Sequence, residues 1–226
     1  MGTIKENIAH LQAAISETAQ RVGRNANDVT LLVVTKNRTI EQIQQLLECG
    51  EFLLGENRLQ EAKSKIPLLP TTLHWHMIGH LQRNKVKDAL QLFEMIQSVD
   101  SLRLAREIQK VAEATNRSVD VLVQLNVAGE ETKFGIPAEE TLAFMKELAA
   151  LPRLRVKGVM TIAPLTHDPE EVRPHFRRLR QIFDTLAAAQ IPGVEMRYLS
   201  MGMTNDYRVA IEEGANLLRI GSAVFD

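Results

Sequence analysis

Tyr198-Leu-Ser-Met-Gly-Met-Thr-Asn-Asp206 and Leu217-Leu-Arg-Ile-Gly-Ser222 are two short stretches near the end of the sequence, separated by one predicted helix. Each is predicted to be a strand that ends in a small hydroxyl residue or a glycine, where the chain turns into a loop. Such ends leave backbone N–H groups free and carry little side-chain bulk, so a phosphate can be bound by the main chain without a lysine. The two stretches together predict a phosphate cup.

A lysine far upstream is the predicted chemical partner of this cup. Lys36 closes the apolar run Leu31-Leu-Val-Val-Thr-Lys36. A lysine held among apolar neighbours gives up its proton more readily, so its free amine can attack a carbonyl. A phosphate cup with a nucleophilic lysine predicts a phosphorylated aldehyde as the ligand. The alternative is an ordinary lysine at a strand end, with its ammonium group in water.

Composition limits the class of protein. The 226 residues are 45% hydrophobic and 24% charged and contain no low-complexity linker, which predicts one globular domain over residues 1–226. A net charge of −1 gives no electrostatic reason to expect a nucleic-acid or membrane partner. No apolar run approaches a membrane span, and the lone Cys49 cannot form an internal disulfide. We therefore expect a cytoplasmic protein.

Apolar periodicity alternates between strand and helix along the chain. A helix begins near Ile4 and ends at Gly23, and eight strands alternating with helices follow. This pattern predicts the α/β class, with a single (β/α)8 TIM barrel and an extra N-terminal helix. The alternative is an open doubly wound sheet, since periodicity does not show closure. The predicted strands are 29–34, 52–54, 73–78, 93–99, 119–127, 154–162, 196–199 and 217–220.

The unusual residues fall where a barrel would place its active site. Active sites of this architecture lie at the C-terminal ends of the strands, and phosphate is commonly held after the seventh and eighth. Each of the following comes at or just after the end of a predicted strand: Lys36, Gly55-Glu-Asn57, Gly79-His80, Asn126, Ser200 and Gly221-Ser222. We expect them to meet at one mouth of the barrel.

Five motifs carry a resemblance to a known family. They occur in the order Val34-Thr-Lys36, Gly55-Glu-Asn57, His76-Met-Ile-Gly-His-Leu-Gln82, Leu199-Ser-Met-Gly-Met203 and Arg219-Ile-Gly221. This set resembles the pyridoxal phosphate homeostasis proteins, a family similar to the N-terminal barrel of alanine racemase but lacking its second domain. The resemblance runs from the first helix almost to the last residue. Thr35 departs from it, since many members carry serine at this position.

The resemblance implies a single barrel that binds pyridoxal 5′-phosphate (PLP) without established turnover, acting in vitamin B6 and amino-acid balance. Lys36 matches the lysine that forms the internal aldimine. Ser200, Gly221 and Ser222 match the phosphate ligands, and Arg219 matches the residue that faces the pyridine nitrogen. Amino acids and PLP-requiring apo-enzymes are the implied partners. Asn57 either orients the lysine or the cofactor ring, or caps the next helix.

The chemistry of Arg219 bears on turnover. Alternation points it away from Leu218 and Ile220, toward the barrel interior, where a buried guanidinium needs an acceptor. A structural carboxylate is one candidate and the PLP pyridine nitrogen is the other. Guanidinium only donates hydrogen bonds, so a ring nitrogen that accepts from it is unprotonated and a weak electron sink. This predicts a protein that holds PLP and is not an enzyme.

Other interpretations remain open from the sequence. An amino-acid racemase would need a second acid/base opposite the lysine, for which no extra domain is found. A sugar-phosphate enzyme with a Schiff-base lysine would need a general acid and base beside Lys36. His74, His76 and His80 suggest zinc, but no cysteine or carboxylate cluster completes the set, so no metal is expected. The exposed mouth of a lone barrel favours a monomer.

Overall fold

Eight parallel strands close into a barrel. A computed structural model describes residues 2–130 and 133–226. Each barrel strand pairs in parallel with its neighbours, and the last pairs with the first, Leu217 lying opposite Thr30. A two-residue strand, Ile136–Pro137, pairs with β5 outside the ring. The barrel strands β1 to β8 are Thr30–Val34, Leu53–Glu56, His74–Met77, Met95–Val99, Val119–Asn126, Leu154–Met160, Val194–Ser200 and Leu217–Ile220.

Helices connect the strands and cover the barrel. In chain order, α1 to α9 are Ile4–Arg21, Ile40–Glu48, Leu59–Lys65, Val86–Leu92, Leu102–Ala114, Thr141–Ala149, Arg173–Ala188, Tyr207–Glu212 and Ser222–Phe225. The predicted (β/α)8 barrel with its extra N-terminal helix is confirmed, and the open sheet is wrong because the ring closes. Within the described residues, no helix combines the length and apolar character that crossing a bilayer requires.

Local signals in the sequence set several helix ends. Thr39 and Gln42 form a capping box, in which Gln42 N donates to Thr39 Oγ1 and Thr39 N donates to Gln42 Oε1. Asp168 caps the 3₁₀ turn Pro169–Val172, and the α-helix α7 begins at Arg173. The proline at the start of that turn has no N–H to give, so a tight turn forms before the helix at no hydrogen-bond cost.

The apolar residues divide into two cores because successive strand residues face opposite sides. In β1, Leu31 and Val33 pack toward the helices, whereas Leu32 and Val34 pack inside the barrel. The interior is thus a packed core and not a pore. Its apolar members are Leu32, Val34, Ile78, Met95, Leu122, Met160 and Leu217.

A chain of buried polar side chains crosses this interior. Arg219 Nη1 donates to Ser200 Oγ at 2.6 Å, and Ser200 Oγ donates to Gln97 Oε1 at 2.7 Å. Gln97 Nε2 lies 2.9 Å from His76 Nδ1. All four residues are at most 7% exposed. A second guanidinium nitrogen, Arg219 Nη2, donates to the carbonyl of Thr161 at 2.7 Å.

The protonation state of His76 determines which group donates and which accepts in each of these hydrogen bonds. Burial, helped by the nearby His74, lowers the pKa of His76 to about 4. The ring is therefore neutral near pH 7, so Nδ1 can accept the amide N–H of Gln97. That leaves the amide oxygen of Gln97 for the hydroxyl proton of Ser200, whose lone pair then accepts from Arg219. Arg219 is held by one consistent hydrogen-bond pattern.

A glycine in β6 is predicted to be irreplaceable. Gly158 has φ +142°, and a Cβ there would lie 2.0 Å from the carbonyl oxygen of Tyr198 on β7. Gly158→Ala is expected to lower the free energy of unfolding by more than about 3 kcal/mol, because neither backbone can move without breaking the ladder. Gly23→Ala is the control, since Gly23 has φ +72° with nothing within 4 Å, and should cost about 1 kcal/mol. Equal losses in urea denaturation would contradict this.

The stability of the fold is expected to depend on pH through His76. Its folded pKa of about 4 lies below the ordinary value of 6.5, so the unfolded chain binds more protons between these values. Stability is fully present above pH 6.5 and falls as the pH drops toward 4, by about 3 kcal/mol in all. Urea denaturation at several pH values should show a smaller loss for His76→Gln. The control His10→Gln, exposed on α1, should lose as much unfolding free energy between pH 6.5 and 4 as the wild type. An equal loss in His76→Gln would show that His76 is not the group responsible.

Candidate functional site

A cavity of about 530 Å³ opens at the C-terminal end of the barrel. Its volume lies in the range typical of small-molecule sites. Five of the six residues predicted from the sequence line it: Lys36, Asn57, Arg219, Gly221 and Ser222. They come from the ends of β1, β2 and β8, which the closed parallel barrel brings together although they are far apart in sequence.

Ser200 is the predicted site residue that the structure does not bring into the cavity. Its side chain is fully buried inside the barrel, with Oγ between Gln97 and Arg219. The Ser200 hydroxyl donates its proton to Gln97 Oε1, and its oxygen accepts a hydrogen bond from Arg219 Nη1. Ser200 therefore supports Arg219 from below and does not present its hydroxyl to a ligand at the mouth.

Thr204 is a hydroxyl residue of the cavity that had no role in the sequence-based prediction. It lines the cavity, and its Oγ1 accepts hydrogen bonds from Ser222 Oγ at 3.0 Å and Ala223 N at 3.3 Å. This contact ties the loop after β7 to the start of α9. The signal was available, since Thr204 is a small hydroxyl residue two positions after Gly202 in the same stretch.

Backbone donors accompany these hydroxyls. The N–H groups of Thr204 and Asn205 have no hydrogen-bond partner in the part of the chain that the structure describes. Ser222 is the first residue of α9, so its N–H has no partner within that helix. Because both loops line one cavity, they can offer several donors to a single anion. The cavity thus has the donors that the predicted cup requires, and Thr204 adds a hydroxyl to its lining.

Lys36 opens onto the cavity directly after β1. It is exposed, and its amine makes no hydrogen bond or ion pair with any described residue. The expectation of a lysine enclosed by apolar neighbours is therefore wrong, because the Lys36 side chain is exposed. The amine is accessible to a ligand in the cavity and to solvent.

Two carboxylates, buried Glu56 and half-buried Glu61, hold the residues on each side of Lys36. Thr35 Oγ1 donates to Glu56 Oε1 at 2.6 Å, and Asn37 N donates to Glu61 Oε2 at 2.9 Å. Lys65 Nζ joins the two acids, at 3.0 Å from Glu56 and 3.1 Å from Glu61. Lys36 consequently projects from a fixed stretch of main chain.

Glu56 is the residue of this network that the sequence analysis missed. Burial raises the pKa of its carboxyl group, while hydrogen bonds from Thr35 and Lys65 oppose the rise. Its Oε2 has no hydrogen-bond partner in the described structure. The signal lay in the Gly55-Glu-Asn57 motif, where only Asn57 had been given a role.

Arg219 forms part of the cavity floor. Burial lowers the pKa of the guanidinium to about 10, with Asp206 opposing the change. No carboxylate lies within ion-pair distance of Arg219 among the described residues, so the alternative of a structural carboxylate is wrong. Two N–H groups are used inside the barrel, by Ser200 and Thr161. The guanidinium therefore keeps donors for a ligand acceptor in the cavity.

The alternative role for Asn57, a helix cap, is wrong. The N-cap of α3 is Arg58, and no side chain caps that helix. Asn57 is half-buried and lines the cavity. Its carbonyl oxygen would lie 2.1 Å from a Cβ at Gly79, so the loops after β2 and β3 touch and hold Asn57 at the rim.

The three histidines of β3 and its following loop are engaged separately. His74 lies 2.9 Å from Glu94, and His80 lies 3.0 Å from Asp100. His76 is inside the barrel against Gln97. No three His, Cys, Asp or Glu side chains within residues 2–130 and 133–226 are grouped so as to hold a metal ion.

Comparison with known proteins assigns the chain to a family. The family model of the alanine racemase N-terminal domain matches residues 7–226. The pyridoxal phosphate homeostasis protein of Aquifex aeolicus is 42% identical over 221 residues, which is 97% of this chain and 96% of that protein. Identity of this level over nearly the full length places both chains in one family.

Solved structures agree with this placement. The structure of PipY from Synechococcus elongatus with PLP bound has 32% sequence identity and a TM-score of 0.85, covering 99% of this chain and all of that one (100%). Alanine racemase of Clostridium difficile has 17% identity and a TM-score of 0.76, covering 98% of this chain and 56% of that one, and it shares the fold. This chain belongs to the alanine racemase N-terminal domain family and, within it, to the pyridoxal phosphate homeostasis proteins.

Proposed function

We propose that this protein binds PLP in the cavity at the C-terminal end of the barrel and holds it as an internal aldimine on Lys36. The observation that carries the proposal is the joint opening of three features onto one cavity. They are the accessible amine of Lys36, the buried guanidinium of Arg219 and the unpaired N–H groups of the cup. PipY, at 32% identity, has been crystallised with PLP bound.

Each part of the site suits one part of the cofactor. PLP supplies an aldehyde that condenses reversibly with amines. The cup, formed by Thr204, Asn205, Gly221 and Ser222, provides hydroxyl and N–H donors for the phosphate. Arg219 donates to the pyridine nitrogen from the barrel floor. Asn57 lies at the rim, where it orients the lysine or the ring.

The same arrangement favours holding PLP over catalysis. Arg219 cannot accept a proton from the pyridine nitrogen or share one with it, so the ring stays a weak electron sink. Lys36 is exposed, so an incoming amine can reach its carbon–nitrogen linkage and take over the aldehyde. We therefore propose a carrier or regulator in PLP homeostasis, which exchanges the cofactor with amino acids or apo-enzymes without turnover of its own.

The linkage to Lys36 is tested by absorbance and mass mapping. Purified protein mixed with PLP should be yellow, and borohydride reduction should leave the adduct on the peptide that contains Lys36. Lys36→Ala should lose the adduct and keep its circular dichroism spectrum, because the core does not use this exposed side chain. The control is Lys63→Ala, at a surface pair with Asp88, which should keep the adduct. A colourless mixture, or an adduct on another lysine, would overturn the proposal.

The absence of turnover is tested with the PLP-loaded protein and a panel of L-amino acids. We expect chiral chromatography to find no more D-enantiomer than free PLP produces, because the electron sink is weak opposite Arg219. Racemisation above that background, lost in Lys36→Ala, would show that the protein is an enzyme instead.

A further inference from the structure

A second cavity, of about 470 Å³, lies near the N-terminal ends of β1 and β8. The turn before β1, strand β7 and helix α7 enclose it. Three arginines from these separate elements line it, Arg24, Arg197 and Arg180, whereas Asp28 is the one carboxylate in its lining. The cavity is therefore a concentration of positive charge in a chain whose net charge is −1.

Carboxylates compensate the charge of the three guanidinium groups only in part. Arg180 Nε lies 2.9 and 2.8 Å from the two oxygens of Asp184, which leaves its two Nη groups available. Arg24 Nη1 donates to the carbonyl of Ile211 at 2.8 Å. Arg197 stacks on the ring of Tyr198, 4.9 Å from its centroid. Neither Arg24 nor Arg197 has a carboxylate within 4.0 Å in the described chain.

Two features show that the fold brings these groups together. A Cβ at Gly214, where φ is +100°, would lie 2.6 Å from Arg180 Nη1, so a glycine lets the guanidinium lie against the main chain. Arg24 is half-buried, and burial lowers its pKa, an effect that Asp28 opposes and Arg180 adds to. The fold thus keeps the like charges of Arg24 and Arg180 near each other with Asp28 as the carboxylate that offsets part of them, and a bound anion would offset them further.

We propose that this cavity binds the phosphate group of a small molecule, at a site separate from the PLP cavity. Guanidinium forks present paired N–H donors that match phosphate oxygens, and several forks lining one cavity favour a multivalent anion over a single carboxylate. The free volume exceeds the needs of one phosphate ion, so a phosphate monoester fits as well as orthophosphate.

The site is tested by titration calorimetry on protein saturated with PLP, so that the cup at the other end is filled. The probes are orthophosphate and glycerol 3-phosphate, with citrate as a carboxylate control. We expect one binding event for at least one phosphate probe, weakened about tenfold or more in the Arg180→Gln/Arg197→Gln double variant. The control is Arg178→Gln, on the same helix but 3.9 Å from Glu139, which should bind like the wild type.

Thermal unfolding provides the second readout. The phosphate probe should raise the Tm of the wild type and of Arg178→Gln, but not that of the double variant, because the stabilisation comes from binding to the folded state. If the double variant does not fold, the single variant Arg197→Gln, at an exposed position, is used instead. It should bind the phosphate probe several-fold more weakly than the wild type. The proposal is overturned if neither phosphate probe binds, if citrate alone binds, or if the arginine and control variants lose affinity equally. The variants locate this site even if PLP fails to bind at the other cavity, so the two proposals fail separately.

Discussion

The structure depends above all on how the guanidinium of Arg219 is buried without a carboxylate. A charge taken out of water is costly unless hydrogen bonds replace its hydration. Here the barrel interior supplies the Ser200 hydroxyl and the Thr161 carbonyl. These two contacts link β8 to β7 and to the end of β6, so the floor of the cavity and the closure of the barrel share the same hydrogen bonds. The cavity therefore has a polar floor that is part of the core.

The second fixed point is the main chain around Lys36. Glu56 and Glu61 hold the residues on either side of it, and Lys65 joins the two acids. An accessible amine on a rigid stretch differs from the buried lysines of many Schiff-base enzymes, in which desolvation activates the nucleophile. In this chain, the contacts of Glu56 and Glu61 fix the position of Lys36, and the exposure of its side chain lets a ligand reach the amine. That combination suits reversible exchange better than it suits a committed catalytic cycle.

Much of this site was predictable because of topology. The C-terminal ends of parallel strands meet at one rim, so Lys36, Asn57 and Gly221 were expected to lie together once eight strands had been counted. The details that failed depend on contacts distant in sequence. Ser200 points inward because Gln97, 103 residues away along the chain, accepts its proton, and no local pattern contains that partner. Lys36 is exposed, and Asn37 after it takes a left-handed conformation, neither of which apolar periodicity predicts.

The two ends of the barrel use arginine in opposite ways, and the contrast clarifies both sites. At the C-terminal end, one guanidinium is fully buried, its geometry is set by neutral acceptors, and the donors that remain select a neutral acceptor such as a pyridine nitrogen. At the N-terminal end, three guanidinium groups share a more open cavity with only partly compensated charge, an arrangement that selects for charge and multivalency. Buried donors select a ligand by the position of its acceptor, because an acceptor in the wrong place leaves the donors unpaired. Exposed guanidinium groups select a ligand by its charge, and salt screens that attraction. The contact of Arg219 with a pyridine nitrogen should therefore be less sensitive to ionic strength than the proposed phosphate site.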